Sequence, residues 1–349
     1  LFLLLAIGGF GTIVLFSAAG GSLTPWAASH AVRFCIFLVM AIIMSRIPEE
    51  FYARMAMPGY AAVLILLIAV ELIGGISGES KLIAHHGEQV ADAVWAMRWR
   101  GHEIIHERVS KYGIQCDLKN GYMDVAIKPR HMRAMEEEYG ELQRRNFPHP
   151  YRLVEKHQMS EVLGSDAYIG GLINHYNGHL HPLNLCKGEA AAAVSLGVEI
   201  FEQSPVLDIQ HGSTPRVITA TGHVDADAVV LAGNAYHALE RGKLSGLVFP
   251  AGSFIVATEP LEEEFARQIN PLDLAVCDPN YVLDYFRLSA ERRLLFGGRC
   301  NYSGREPRDI GASIVPRMLK ILPQLKGKRI DYAWGGNIGI VVNRVPTMG

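Results

Sequence analysis

The sequence lacks an excess of charge of either sign: its 349 residues carry 33 basic and 35 acidic side chains, for a formal net charge of −2. With that balance and no basic tract, nothing drives binding to nucleic acid through its phosphates. Cysteine is scarce and scattered, with five residues at Cys35, Cys116, Cys186, Cys277 and Cys300 and no CxxC pair. This excludes a disulfide framework and a zinc knuckle and points to reduced thiols. A Walker phosphate loop is missing, as is a Gly-x-Ser-x-Gly nucleophile elbow. Ser245 comes nearest to an elbow, but Gly242 stands one position too far upstream, and the stretch reads as a turn. Charge is also missing locally, since residues 1–80 hold only seven of the 68 charged side chains.

What fills those first 80 residues is apolar. Residues 1–18 form an unbroken apolar and small-residue run, residues 34–44 a shorter one, and residues 60–76 a third that carries one acid, Glu71. A helix needs roughly 20 such residues to cross the hydrocarbon, so two or three transmembrane helices are expected, with the lipid bilayer as a partner through residues 1–76. Arg46 and Arg54 weakly place the second loop in the cytoplasm. Three crossings would then leave the rest outside. The strings FSAAGGSLTPWAASHAVRF, from Phe16, and SRIPEEFYARMAMPGYAAVLILLIAVELIG, from Ser45, resemble the first spans of the rod-shape and cell-division family of peptidoglycan glycosyltransferases. That resemblance covers residues 1–78 and implies membrane glycan polymerisation as an alternative function. It stops before the later spans and the loop acid such an enzyme needs.

Past Glu79 the composition turns polar, and a domain boundary is expected at residue 80, with residues 1–80 membrane-embedded and residues 81–349 a water-soluble body. Apolar spacing predicts a helix over 87–112, and a polar run with clustered acids and a Leu/Ala-rich run read as helices over 130–145 and 184–197. Strands are expected over 123–127, 198–203 and 226–233, with a hairpin from 206–210 and 216–220 around the tip 211–215. Helices, strands and a hairpin in this order predict an α/β body of mixed α+β character, with parallel and antiparallel pairs. The run 226–233 ends on Ala232 and Gly233, where the backbone is open to close approach by a cofactor or simply to a turn.

Among chemical motifs, HEIIH at 102–106 has the zinc-hydrolase pattern on a helix. No third ligand accompanies it, so it reads as part of an amphipathic surface. His175, His179 and His181 sit in a Gly-rich stretch without an acid partner, and no metal is expected. Near the C-terminus Trp334, Gly335 and Gly336 put a broad ring beside two glycines, which suits a planar ligand or a capped strand. Arg287 and Arg299 are candidate anion-binding groups, and Tyr281 and Tyr285 candidate pocket walls, with packing roles as the alternative.

Four strings span nearly the whole body: GIQCDLKNGYMDVA from Gly113, GGLINHYNGHLHPLNLCKG from Gly170, HVDADAVVLAGNAY from His223 and RIDYAWGGNIGIVVNRVPTMG from Arg329. Together they resemble the FAD-dependent D-amino-acid-oxidase-like superfamily, gamma-glutamylputrescine oxidases in particular. The resemblance implies a partial FAD-binding fold interleaved with a sheet-rich substrate domain. It also implies oxidation of an amine or amino-acid C–N bond by hydride transfer to flavin, with a small-molecule amine and an electron acceptor as partners. Val206 is then expected near the adenine, Ala232 and Gly233 on the dinucleotide-facing strand end, and Trp334, Gly335 and Gly336 in a turn beside the isoalloxazine. No protein nucleophile is required, and no catalytic residue is assigned.

The family's opening strand, GxGxxG turn and helix do not precede residue 80, and Gly8, Gly9 and Gly11 lie in the first apolar run. The sequence is therefore expected to be a fragment of the flavoprotein joined to a membrane segment, or a membrane-anchored non-enzymatic fusion. Membrane localisation follows if the N-terminal segment is genuine, and the body is otherwise expected in the cytoplasm. The sequence does not set the oligomeric state.

Overall fold

A computed structural model of the chain describes residues 30–32, 34–39, 87–236, 239, 248–280, 282–301 and 306–341. The chain divides into two units, Leu1–Gly75 with Glu240–Leu247, and Ile76–Leu239 with Val248–Gly349. The second holds every element named below.

The elements are α1 (Glu88–Tyr112), β1 (Lys119–Ala126), α2 (Pro129–Arg144), β2 (Tyr151–Glu155), α3 (Met159–Val162), β3 (Gly170–His179) and α4 (Pro182–Ser195). Then come β4 (Asp208–Gln210), β5 (Arg216–Ile218), β6 (His223–Asp225), β7 (Val248–Pro260), α5 (Glu263–Ile269) and β8 (Ala275–Cys277). The series ends with β9 (Tyr285–Leu288), β10 (Arg293–Asn301), α6 (Ile310–Ile321) and β11 (Ile330–Val341). Eight strands form one sheet in the order β11-β7-β10-β9-β8-β1-β3-β2, and β4-β5-β6 form a second, small one. All pairs are antiparallel except β1 with β8.

Strand alternation gives the large sheet two different faces. One cross-strand row runs Met123, Val276, Phe286, Phe296 and Val256. All five are buried, and they join a core closed by Val162 of α3, Ile269 of α5 and Ile314 and Met318 of α6. Each large side chain removed from water here stabilises the fold by about 1.5–3 kcal/mol. On the other face, the β1–β3–β2 end is covered by α1 and α2, where Trp99, Met135 and Leu142 pack on Ala126 and Leu172.

The predicted helices form at α1, α2 and α4, and the hairpin forms as β4–β5 with β6 added. Two predicted strands do not form. Residues 198–203 and 226–233 are irregular, with Phe201 67% and Val230 86% exposed. The largely apolar run 226–233 reads as a buried strand and 198–203 as a strand following a helix, but a ladder needs a neighbouring strand, and none lies beside either segment among the described residues.

The expected membrane segment is corrected. No helix among the described residues is long and apolar enough to cross a membrane. Of the second apolar run, residues 34–39 are described and are helical, as are residues 30–32 before them. The first and third runs lie outside the described residues. The 25-residue α1 has the length, but it carries charge along its whole course. Among the described residues the fold is therefore a mixed α/β body with no transmembrane helix, and the bilayer contact through residues 1–76 is not retained.

Candidate active site

The open face of the large sheet carries the site. The row next to the buried one pairs Asp124 with Cys277, Cys277 with Tyr285, Tyr285 with Gly297, Gly297 with Ile255 and Ile255 with Trp334, across six strands. Paired residues point to the same side. One step along, Arg287, Leu295, Ala257 and Tyr332 form a parallel row. Helices α1 and α2 cover this face at the Asp124 end. Towards Trp334 it opens into a cavity of about 740 Å³ walled by Tyr122, Cys277, Tyr285, Ile255 and Trp334. A second cavity of about 570 Å³ adjoins it, sharing His181, Arg287, Leu295 and Trp334 and adding Asp117, Glu291 and Arg293.

Local sequence sets these positions. A bulge between Asn120 and Tyr122, with Gly121 at φ +118°, re-aims Tyr122 towards the cavity. Its hydroxyl donates to Asp124 Oδ1 at 3.1 Å. Burial raises the Tyr122 pKa, pushes the Cys277 thiol up to about 11, and with Glu138 nearby pushes the Asp124 carboxyl up to about 7. The far wall is the β3–α4 connection. There Pro182 occupies the first turn of α4, and His181 accepts the Asn184 N–H as its N-cap. Arg287 donates to the carbonyls of Leu180 at 3.0 Å and Leu288 at 3.1 Å, holding this wall to β9. Burial lowers its pKa.

Of the six residues expected at FAD, five come to one region. Trp334, Gly335 and Gly336 stand in mid-strand of β11, not in a turn. Ala232 and Gly233 lead into a 3-10 turn, Asn234–Tyr236, that docks on that strand. The Tyr236 hydroxyl accepts the Asn337 N–H at 2.6 Å, and Asn234 Oδ1 accepts the Gly339 N–H at 2.7 Å. Val206 is elsewhere, exposed in the connection to β4. A Cβ on Gly335 would lie 2.5 Å from Phe254 Cδ1 on the buried side of the sheet, whereas one on Gly336, on the same face as Trp334, would meet only the Tyr236 hydroxyl at 3.4 Å, so the strand presents bare backbone two residues from Trp334. A largely apolar cavity, one exposed indole and small residues from two segments fit a planar flavin.

Tyr285 and Arg287 are thus brought together with Trp334. Tyr281 and the side chain of Arg299 lie outside the described residues. Sequence reading missed Tyr122, Cys277, Ser253 and Gly297, although the in–out alternation of β1 carried the signal for Tyr122. The HEIIH residues are used in packing: Glu103 pairs with Arg100 at 2.9 Å, His106 stacks on Tyr176 at 5.2 Å, and His102 lies 5.3 Å from the Trp99 ring. His179 bonds the Asp273 carbonyl at 3.0 Å.

Residues 63–349 match the model of the family described as FAD dependent oxidoreductase. The chain belongs to that family. It is 40% identical over 266 residues to gamma-glutamylputrescine oxidoreductase of Escherichia coli, an alignment covering 76% of this chain and 62% of the relative. It is 41% identical over 278 residues to the probable oxidoreductase OrdL of Haemophilus influenzae, covering 78% and 63%. The chain therefore spans less than two thirds of the length of these relatives. Among solved structures, glycine oxidase from Geobacillus kaustophilus shares the fold with a TM-score of 0.58 at 23% identity, over 75% of this chain and 69% of that one. L-proline dehydrogenase from P. horikoshii does so with a TM-score of 0.61 at 19% identity, over 72% and 68%.

The match from residue 63 takes in most of the third apolar run and the end of the stretch expected to resemble peptidoglycan glycosyltransferases. That expectation is corrected: the family shown is the flavoprotein one, and glycan polymerisation is dropped.

Proposed function

We propose that the chain serves an FAD-dependent oxidoreductase that oxidises the C–N bond of an amine or amino acid, carried by the domain expected over residues 81–349. The observation that carries this is the open sheet face, where Tyr285, Ile255 and Trp334 wall a cavity large enough for a ring and a slender substrate. When bound, the flavin supplies the hydride acceptor and is reoxidised by oxygen or another acceptor.

The residues of this chain orient the amine and keep water away. Tyr285 and Ser253, whose hydroxyls are 2.9 Å apart, offer a polar point beside the apolar Ile255 and Leu283, where a neutral amine can be held by one hydrogen bond. Trp334 and the Gly335–Gly336 backbone fit against the ring, and Ala232 and Gly233 near the dinucleotide. Val206 stays a candidate for the adenine end. The relative named for gamma-glutamylputrescine makes that amine the first substrate to try. A cytoplasmic setting is part of the proposal, and the exposed free thiol of Cys186 suits a reducing compartment.

The test is reconstitution of purified chain with FAD, followed by anaerobic mixing with gamma-glutamylputrescine. Bleaching of the flavin's visible absorbance, with an imine or aldehyde product, is expected. Retention of flavin without bleaching by this or other primary amines overturns the reading.

A further inference from the structure

An alkylamine is a cation in neutral water, with a pKa of about 10.4, whereas its C–N bond gives up a hydride only once the nitrogen lone pair is free. A proton must therefore leave the substrate between solution and flavin. Tyr285 and Ser253 can hold the neutral amine, but neither hydroxyl is a base at neutral pH.

A carboxyl group stands one hydroxyl behind the other end of the same cavity. Tyr122 walls the larger cavity beside Cys277, on β1, two strands and so about 10 Å along the sheet from β9 and Tyr285. Its hydroxyl donates its hydrogen to Asp124 Oδ1 at 3.1 Å. A hydroxyl that donates to a carboxylate keeps oxygen lone pairs for a further donor. Among the described residues that is the only hydrogen bond Asp124 receives, and no cation lies within ion-pair distance of it. Glu138 of α2 faces the carboxyl and raises its pKa, Arg98 of α1 lowers it at longer range, and the Cys277 thiol opposite on β8 is itself pushed up to about 11. Burial, with Glu138, brings Asp124 to about 7, where a group both takes and releases a proton at neutral pH. Burial also keeps the Tyr122 hydroxyl un-ionised, so it can pass a proton on without holding a charge.

We infer that Tyr122 and Asp124 form the proton-accepting pair of the site: the substrate ammonium gives a proton to the Tyr122 oxygen as the Tyr122 hydroxyl hydrogen passes to Asp124 Oδ1. An N–H bond breaks, an O–H bond forms on Asp124, and the Tyr122 O–H is exchanged. An ammonium and a carboxylate thus become a neutral amine and a carboxylic acid, with no change of oxidation state. Away from bulk water that neutral pair is favoured over two charges. Tyr122 is the group that touches substrate, and Asp124 acts through it. This rests on the amine-oxidoreductase reading and names the residues that prepare its substrate.

The first test is the rate of flavin reduction per unit of amine concentration, followed from about pH 6 to about pH 10 in the reconstituted chain. Wild type is expected to level off above about pH 7, because the abundant ammonium form is the one that docks. Asp124→Asn and Tyr122→Phe should instead rise about tenfold per pH unit, since only amine already neutral in solution can react. A merely structural role would lower the rates and leave that slope unchanged. The second test needs no flavin. It is calorimetric binding, at about pH 8, of tert-butylammonium against tetramethylammonium. The former has no hydrogen on the carbon bearing nitrogen and cannot be oxidised, and the latter is a cation of like size with no N–H. Wild type should prefer tert-butylammonium by roughly 10- to 100-fold, the range for a hydrogen bond to a charged partner, and Asp124→Asn should lose most of that preference. A wild-type rate that climbs tenfold per unit to about pH 10, equal binding of the two cations, binding of neither, or an undiminished preference in Asp124→Asn overturns the inference. The wild-type measurements decide the matter even where a variant fails to fold. The expected preference together with flavin that no amine bleaches would leave the pair standing and sink the amine-oxidoreductase reading instead.

Discussion

The ring of Tyr285 on β9 lies directly across Gly297 on β10, so that a Cβ at position 297 would come within 2.1 Å of Tyr285 Cε2. Because the glycine is bare, the Tyr285 hydroxyl crosses one whole strand and meets Ser253 on β7 at 2.9 Å. Gly297→Ala must push the ring off the strand, at about 1–3 kcal/mol. The measurements are thermal unfolding and the rate of flavin reduction by amine, both of which should fall. The same alanine in a Tyr285→Leu background should cost much less, since leucine is too short to place atoms where the outer ring was. An equal cost in both backgrounds would show that the backbone, not the ring, requires the glycine.

Asp124 provides a pH signature. Its ordinary value of 3.8 is pushed up to about 7, chiefly by burial. Between those values the folded protein holds a proton that the unfolded chain has released, so this group makes stability fall as pH rises through the window. Asp124→Asn keeps an acceptor for the Tyr122 hydroxyl and cannot ionise. The variant should have a flatter stability profile and exceed wild type at about pH 8 by on the order of 1–3 kcal/mol. Chemical denaturation across pH checks this, and superimposable profiles would rule it out.

The parts of this fold that were readable in sequence are those governed by local rules. Helix α1 follows from apolar spacing, α2 from a polar helix-forming run, α4 from its Leu and Ala content, and β4–β5 from a polar tip between two short runs. Residues 226–233 show where local rules fail: Val230 is apolar enough for a buried strand, yet it is 86% exposed because no neighbour pairs with the segment. The site was half legible. Trp334 and its glycines were visible as an unusual trio, and Tyr285 and Arg287 as candidates. Their convergence was not, since it depends on the register between β9, β10, β7 and β11. Nor could spacing show that Ser253 and Tyr285, 32 positions apart, share a hydrogen bond.

The docking of Asn234–Tyr236 on β11 yields a separate expectation. Asn234 sits at φ +51°, a conformation asparagine tolerates better than most residues, and its side chain holds the Gly339 N–H at 2.7 Å. Asn234→Ala loses both features and should cost about 1–2 kcal/mol. The turn that Ala232 and Gly233 lead into is then held less firmly on β11, so under the proposed cofactor placement FAD affinity should fall by about tenfold, read by flavin fluorescence quenching. Tyr236→Phe, which removes only the bond to the Asn337 N–H, should show a smaller loss of the same kind. Unchanged FAD affinity in both variants would mean that the turn plays no part in cofactor binding.

Arg317 of α6 reaches through to Asp284, which is only 6% exposed, with Nε at 2.7 Å from one carboxylate oxygen and Nη2 at 2.9 Å from the other. This fork fixes the end of the β8–β9 connection, whose Asp284 carbonyl also accepts the Asp278 N–H at 3.0 Å, and so sets where Leu283 and Tyr285 enter the cavity. Asp278 is itself buried, and its carboxyl is raised above the usual range mainly by that burial. Losing the arginine would therefore leave two buried carboxyl groups close together. Arg317→Met should destabilise by about 2–4 kcal/mol, most of it the cost of an uncompensated buried carboxylate. Adding Asp284→Asn removes that charge and should restore more than half of the loss. Urea unfolding of the two variants measures the recovery, and a double variant no more stable than Arg317→Met alone would show that packing, not charge, gives the arginine its effect.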